Sequence, residues 1–419
     1  MTLSDDVHEF LLGEVRKRFL RYVQIHTTSD EESDTHPSTE RQWDLLRLLA
    51  DECRELGLSD VHLGETGYVY ATLPARDGVE AEPFALYAHV DTSPEQPGDG
   101  VKPRRIENWD GTPISYPDDP TLTLSMEDSI ELSRFVGDTI ITASGKTLLG
   151  ADDKAGVAEI MAALATLRQF PELPHGEIRA CFTSDEEIGS GTEGIELDRL
   201  PKYGYTMDGG EPGELETECF DAWRADLTVH GVGVHPGSAK DKLVHAAHQL
   251  ARLLAEIPAL ETPEHTEDRA GFYYLAHLEG SVDLATAYLI LRDFEPEENQ
   301  RRIEFLKSLA ERYEREIPGL RIEVDAKEQY RNMRDILAEC PHVVERAHAA
   351  IADTGLDVLR HPIRGGTDGS VLSQKGHPTP NIFAGGLMFH SKREWIAEGA
   401  LQKATETIIH LARRWAEAT

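Results

Sequence analysis

The chain has 419 residues, 40% of them hydrophobic, and carries 76 acidic against 42 basic side chains for a formal net charge of −34. That length exceeds one ordinary core, so two domains are expected, and the composition is globular rather than disordered. The charge argues against nucleic acid and anionic membrane as partners, because phosphate binding needs clustered Lys and Arg.

Arg clearly outnumbers Lys. Two explanations of the acidic, lysine-poor surface stand level: adaptation to a salt-rich cytoplasm, where ions screen self-repulsion, or simply an acidic soluble surface. The first residues, MTLSDDVHEFLLGEVRKRFLRYV, are broken by charges every few positions and lack the apolar centre of a signal peptide. No apolar run approaches the ~18 residues of a bilayer span. A cytoplasmic protein is expected. Cys53, Cys181, Cys219 and Cys340 form no CxxC pair, so they read as small core residues, not as a disulfide framework.

In chain order, the first clear helix covers roughly 40–56, with Leu45, Leu46, Leu48, Leu49 and Leu56 on its apolar face. Thr39 and Gln42 fit a capping box, and Gly57 stands where a helix-ending glycine belongs. Strands are expected at Tyr68–Leu73 and Phe84–Val90, and a hairpin around the Ala-Ser-Gly-Lys turn at 143–146. Val157, Ile160, Met161, Leu164 and Leu167 recur one turn apart and predict a helix over 155–169. Strands return at Glu177–Thr183 and Tyr205–Met207. This alternation points to an α/β sandwich around a central sheet.

The pattern changes near 220. Strand (223–230), helix (240–256), strands (272–278 and 286–293), helix (296–316) and strand (320–325) give the order βαββαβ, the ferredoxin-like motif. From about 333 the chain returns to helix, Gly-rich turn and strand. The expected organisation is a discontinuous domain, 1–219 with 333–419, and an inserted domain, 220–332.

Five residues in five separate segments are candidate metal ligands: His89 in HVDTSPE, Asp152 in LLGADDKAG, Glu187 in SDEEIGSG, Asp208 in YTMDGGE and His390 in LMFHSKREW. Imidazole and carboxylate suit borderline divalent metals, and zinc takes both. Four of the five sit at or just past an expected strand end, where sites form in open α/β sheets. Singly, each has an ordinary explanation as a core histidine, a turn aspartate or a solvated glutamate. Together, in this order, they ask for one site.

The succession HVDT, LLGADDKAG, DEEIGSG, DGG, HPG, IRGGTDG and a late His resembles the M20 metallopeptidase family over nearly the whole chain, from about Leu11 to Ile408. The resemblance implies a catalytic sandwich of the zinc-exopeptidase type with an inserted ferredoxin-like lid. It implies two zinc ions per chain, one held by His89, Asp152 and Asp208, the other by Asp152, Glu187 and His390, with Asp152 bridging. Asp91 would orient the His89 ring, and Glu186 would be the general base. Since adjacent residues of a strand point opposite ways, Glu186 and Glu187 can divide these roles only if a local turn forms near Gly189–Gly191. On the inserted domain, His235 would stabilise the oxyanion and Arg292 would hold the substrate carboxylate together with Arg364, since a guanidinium fork matches two carboxylate oxygens. The activity implied is release of the N-terminal residue from tripeptides. Other hydrolases of the family (dipeptidase, carboxypeptidase, aminoacylase) share the same metal chemistry, and a catalytically inactive peptide-binding protein is the reading outside enzymes. The partner is a short peptide, and a homodimer is allowed. Gly233 and His245 stand where the family pattern carries Asn, which bears on substrate preference rather than on the metals.

Overall fold

The computed structural model describes residues 3–417. The chain forms two compact units. The first runs to Thr217 and resumes over Ile336–His361 and from Thr367; the second comprises Glu218–Asp335 and Pro362–Gly366. Among the described residues no helix is long and apolar enough to cross a membrane.

The first unit opens with α1 (Asp5–Tyr22), α2 (Gln42–Glu55), β1 (Ser59–Leu63), β2 (Val69–Leu73) and β3 (Phe84–His89). Short strands follow: β4 (Arg104–Ile106), β5 (Ile114–Tyr116), β6 (Asp119–Leu124) and β7 (Ile140–Thr142). Then come α3 (Ala151–Gln169), β8 (Ile178–Thr183), β9 (Tyr203–Gly209) and β10 (Leu215–Glu216). The second unit contributes β11 (Asp221–His230), α4 (Ala246–Leu254), β12 (Phe272–Gly280), β13 (Leu284–Asp293), α5 (Pro296–Glu316) and β14 (Arg321–Tyr330). The chain returns through α6 (Arg334–Ala338), α7 (Pro341–Asp353), α8 (Asp368–Gln374), β15 (Asn381–Phe383), β16 (Gly386–Leu387), β17 (Trp395–Ala397) and α9 (Glu398–Ala416).

The main sheet of the first unit has the order β1-β2-β8-β3-β9-β15-β10. Its centre, β8-β3-β9-β15, is parallel. Both faces are covered, and β3 shows it: all six residues are buried. Phe84 stacks on Trp415 of α9 at 5.3 Å, while the alternate residues Ala85 and Tyr87 join a cluster with Leu372 of α8. A strand buried on both sides reads as a continuous apolar run, which FALYAH is. The parallel strands deliver their carboxyl ends, and the loops after them, to one edge of the sheet.

The second unit is a four-stranded antiparallel sheet, β12-β13-β11-β14, with α4 and α5 packed on it. Leu227, Val229, Leu289 and Leu291 of the sheet meet Leu250, Leu253, Ile303 and Leu306 of the helices in one core. The element order is βαββαβ, as read from the sequence.

Several local expectations are corrected. The helix α1 went unread although Val7, Leu11, Val15 and Phe19 recur every fourth residue and Ser4 accepts the Val7 N–H as N-cap. Thr39 and Gln42 form no capping box: Thr39 donates to the Thr28 carbonyl and the Gln42 amide is drawn to the buried Asp185 carboxylate at 2.6 Å. No hairpin turns at 143–146. β7 pairs with β17 and β4, and the N–H groups of 148–150 go to the Pro97 carbonyl and to Glu394. Helix 240–256 is shorter, α4 starting at Ala246, because Val244 is claimed by a bridge to Val232. Residues 362–366, grouped from sequence with the discontinuous domain, belong to the second unit.

Candidate metal centre

The first unit gathers His89, Asp152, Glu187, Asp208 and His390. His89 closes β3, Asp208 lies near the end of β9, and Glu187 sits in a single 3-10 turn, Glu186–Ile188, just after β8. That turn is set by two left-handed residues, Asp185 (φ 60) before it and Gly189 (φ 76) after it. Asp185 can hold that backbone because its carboxylate is pinned by Ser38 N–H (2.6 Å), Ser38 Oγ (2.5 Å) and Gln42 Nε2 (2.6 Å). His390 also has a left-handed backbone, φ 56, the kind of local strain that surrounding structure must hold in place. Asp152 has φ −81 and ψ 108, so the regular helix of α3 begins only beyond Asp153.

Asp152 stands between two imidazoles. Its Oδ1 is 3.0 Å from His89 Nε2 and its Oδ2 is 3.2 Å from His390 Nε2. Asp208 Oδ1 lies 3.5 Å from His89 Nε2, and Glu187 Oε2 lies 2.8 Å from His390 Nε2. Asp91, fully buried, is 3.3 Å from His89 Nδ1 and accepts the backbone N–H groups of Glu186 (3.1 Å) and Glu187 (3.2 Å). The Asp91 backbone carbonyl is the hydrogen-bond partner of His89 Nδ1, at 3.2 Å, so this one residue orients the imidazole and holds the Glu-Glu turn together.

The electrostatics of the cluster follow from burial. Burial, with Asp152 beside it, pushes the Glu187 carboxyl up to about 8, and burial raises Asp208 to about 6. Burial works against the charge of His390, but the Asp152 and Glu187 carboxylates outweigh it and carry it to about 11. Burial would also raise Asp152, yet the hydrogen bonds from His390 and His89 hold it well below the usual carboxylate range. Glu186 is pushed well up by burial.

Two imidazoles and several carboxylates crowded together are a donor set for a divalent cation. Among the described residues Glu187 Oε1 is buried without a hydrogen-bond partner, which suits an oxygen that would ligate a metal ion. His89, Asp152 and Glu187 offer ligand atoms within 4.8 Å of one another, and so do His89, Asp153 and Asp208. Asp153 was not singled out from the sequence. It accepts N–H groups of His89 and Gly156, both at 3.2 Å, so we read it as holding strand to helix rather than as a ligand.

A model of peptidase family M20/M25/M40 matches residues 149–414. The chain is 43% identical over 407 residues to a peptidase T of Geobacillus thermodenitrificans, covering 97% of this chain and 99% of that one. The chain belongs to peptidase family M20/M25/M40. It is also 44% identical over 405 residues to a peptidase T of Listeria innocua, covering 96% and 99%. The solved structure of aminopeptidase PepT from Bacillus cereus superposes with a TM-score of 0.74 at 25% identity, covering 97% of this chain and 99% of that one. The α/β architecture is therefore the family's own.

The remaining candidates lie in the second unit. His235 is exposed and its Nδ1 accepts the Gly237 N–H at 3.1 Å, which leaves the neutral ring's proton on Nε2 as a donor. Arg292, near the end of β13, donates to Gln329 Oε1 at 3.0 Å and lies over the Tyr330 ring at 5.0 Å. Arg364 is bound more tightly: its guanidinium donates to the carbonyls of Asp268 (2.7 Å), Ala270 (2.9 Å) and Thr266 (3.3 Å), and to Thr266 Oγ1 (3.1 Å). A Cβ at Gly233 would sit 2.3 Å from Asp283 Oδ1, so a larger residue there would have to displace the exposed Asp283 side chain. His245 stacks on His248 at 3.9 Å.

Proposed function

We infer that the chain is a metal-dependent tripeptide aminopeptidase that hydrolyses the N-terminal peptide bond. The observation that carries this is Asp152, one carboxylate facing two imidazoles, in a chain 43% identical to peptidase T along its length. We propose two zinc ions, one held by His89, Asp152 and Asp208, the other by Asp152, Glu187 and His390. When bound, such ions supply electrostatic stabilisation of a developing oxyanion and acidify water near them.

The chain's own residues then divide the work. Glu186 takes a proton from the attacking water and delivers it to the departing amine. Its raised proton affinity, which comes from burial, suits that exchange. Asp91 keeps the His89 ring and the Glu186 backbone in one register. From the second unit, we assign His235 Nε2–H to the oxyanion and Arg292 to the carboxylate of the peptide. The same carboxylate role for Arg364 requires it to exchange carbonyl bonds it already makes. Tyr274, Leu275 and Leu278, exposed on the edge strand β12, support a homodimer. A cytoplasmic location completes the proposal.

A panel of tripeptides tests it. Mass analysis should show the first residue released from free tripeptide and nothing from the N-acetylated form. Release of the last residue from the N-acetylated form would make the chain a carboxypeptidase instead.

A further inference from the structure

Glu394 lies four residues beyond His390, just before β17, and is 1% exposed. Its Oε2 accepts the N–H groups of Leu149 (2.6 Å) and Gly150 (2.8 Å), and its Oε1 accepts that of Asp152 (3.1 Å). All three donors lie in the segment 149–152 that leads into the regular helix of α3, more than 240 residues away in the chain.

The first N–H groups of a helix have no partner within it, and a nearby Asp, Ser or Thr commonly turns back to take them. The regular helix of α3 begins beyond Asp153, and Asp153 fills that role by accepting the Gly156 N–H at 3.2 Å. Asp152 precedes the regular helix and directs both oxygens at His89 and His390. Its backbone, and that of Leu149 and Gly150 before it, is held instead by the Glu394 carboxylate.

The same residue ties the His390 segment to the Asp152 segment, the two sides of the 3.2 Å contact between His390 Nε2 and Asp152 Oδ2. Lys154 is buried and donates to the Ile25 carbonyl at 2.7 Å. The Glu394 carboxylate has three backbone N–H partners.

We propose that Glu394 is a positioning residue for the metal centre: by accepting the N–H groups of Leu149, Gly150 and Asp152 it holds the backbone that carries Asp152, and it fixes the His390 segment relative to it. The proposal rests on the metal reading of this cluster and not on the choice of substrate.

The test is metal affinity. Glu394→Gln keeps the shape but replaces one acceptor oxygen with an NH2 group facing backbone N–H groups. Chelator-stripped wild type and variant are titrated with zinc against a chromophoric chelator, and the cobalt-loaded forms are compared by visible absorption. Zinc affinity should fall roughly 10–100-fold, the range for groups that orient metal ligands, and the cobalt spectrum should change. Unchanged zinc affinity and cobalt spectrum would overturn the proposal, even with a lowered melting temperature, since Glu394 would then be a structural tie between two segments only. If the Gln variant does not fold, Glu394→Asp, which keeps the charge but shortens the reach, is read by the same two outcomes. Wild type that bound no zinc would bring down the metal reading itself, a separate failure. Failure of the tripeptide panel would leave Glu394 untouched.

Discussion

In the first unit, Asp91, Asp152 and Asp208 are each met by groups from distant parts of the chain; the backbone N–H groups of Asp152 and Asp208 are held by Glu394 and Asn381, and the Asp185 cluster holds the turn whose N–H groups Asp91 accepts. In the second unit, His235 is exposed with one side-chain bond to its own turn, and Arg292 donates to the Leu291 carbonyl and the Gln329 amide and lies over a tyrosine ring. The contrast fits the roles we propose for each region. A metal site gains from donors held in place before the ion arrives. Groups that grip a substrate must be free to exchange a weak partner for a better one, so few bonds and an exposed tip suit them. Arg364 breaks the pattern within its own unit: its fork is already filled by backbone carbonyls of the 266–270 loop.

The largest effect should come from the pinned side. Glu186→Gln keeps the fold and the bound metal but cannot accept a proton, and kcat should fall by ~10²–10⁴-fold. Activity within about tenfold of wild type would remove Glu186 from the mechanism.

From the exposed side, Arg292→Ala should raise KM for free tripeptides. Loss of one charge-assisted contact corresponds to about a 10–100-fold drop in kcat/KM, with zinc content unchanged. A tripeptide amide, which lacks the carboxylate, should hardly register the change. Equal losses on both substrates would assign Arg292 to packing.

The pH response separates the two regions further. In α9 of the first unit, His410 is buried, and burial with the nearby Arg413 charge drives its pKa down to about 4 from 6.5. The unfolded chain binds that proton first as pH falls, so stability is lost between 6.5 and about 4. The contribution is about 3 kcal/mol at most. His410→Gln should flatten the fall in melting temperature over that window. An unchanged slope would contradict the assignment.

Salt should act more gently. With a net charge of −34 and a screening length that shrinks from ~30 Å at 0.01 M to ~3 Å at 1 M, the melting temperature should rise with added salt. No rise would favour the simply acidic surface.

Much of this was legible in the sequence because it rests on short-range signals. Apolar periodicity marks α3 and α5, continuous apolar runs mark β3, and His89, Glu187 and Asp208 stand at or just past strand ends. What was not legible depends on distance. Glu394 and Asp185 act on backbone N–H groups more than a hundred residues away, and nothing local distinguishes them from surface carboxylates. Gln42 looked like half of a capping box because its true partner, Asp185, lies 143 residues on. The burial of Asp153 is likewise a product of packing around α3, and an Asp-Asp pair in a loop gives no hint of which carboxylate turns inward.

The central claim is that the first unit holds a preformed two-metal site on which hydrolysis depends. Chelator-stripped protein, titrated with zinc while tripeptide cleavage is followed, tests it most directly. The account predicts no cleavage without metal, binding that saturates at two ions per chain, and activity restored in step with binding. Full activity in the stripped protein, or saturation at a single ion, would contradict it.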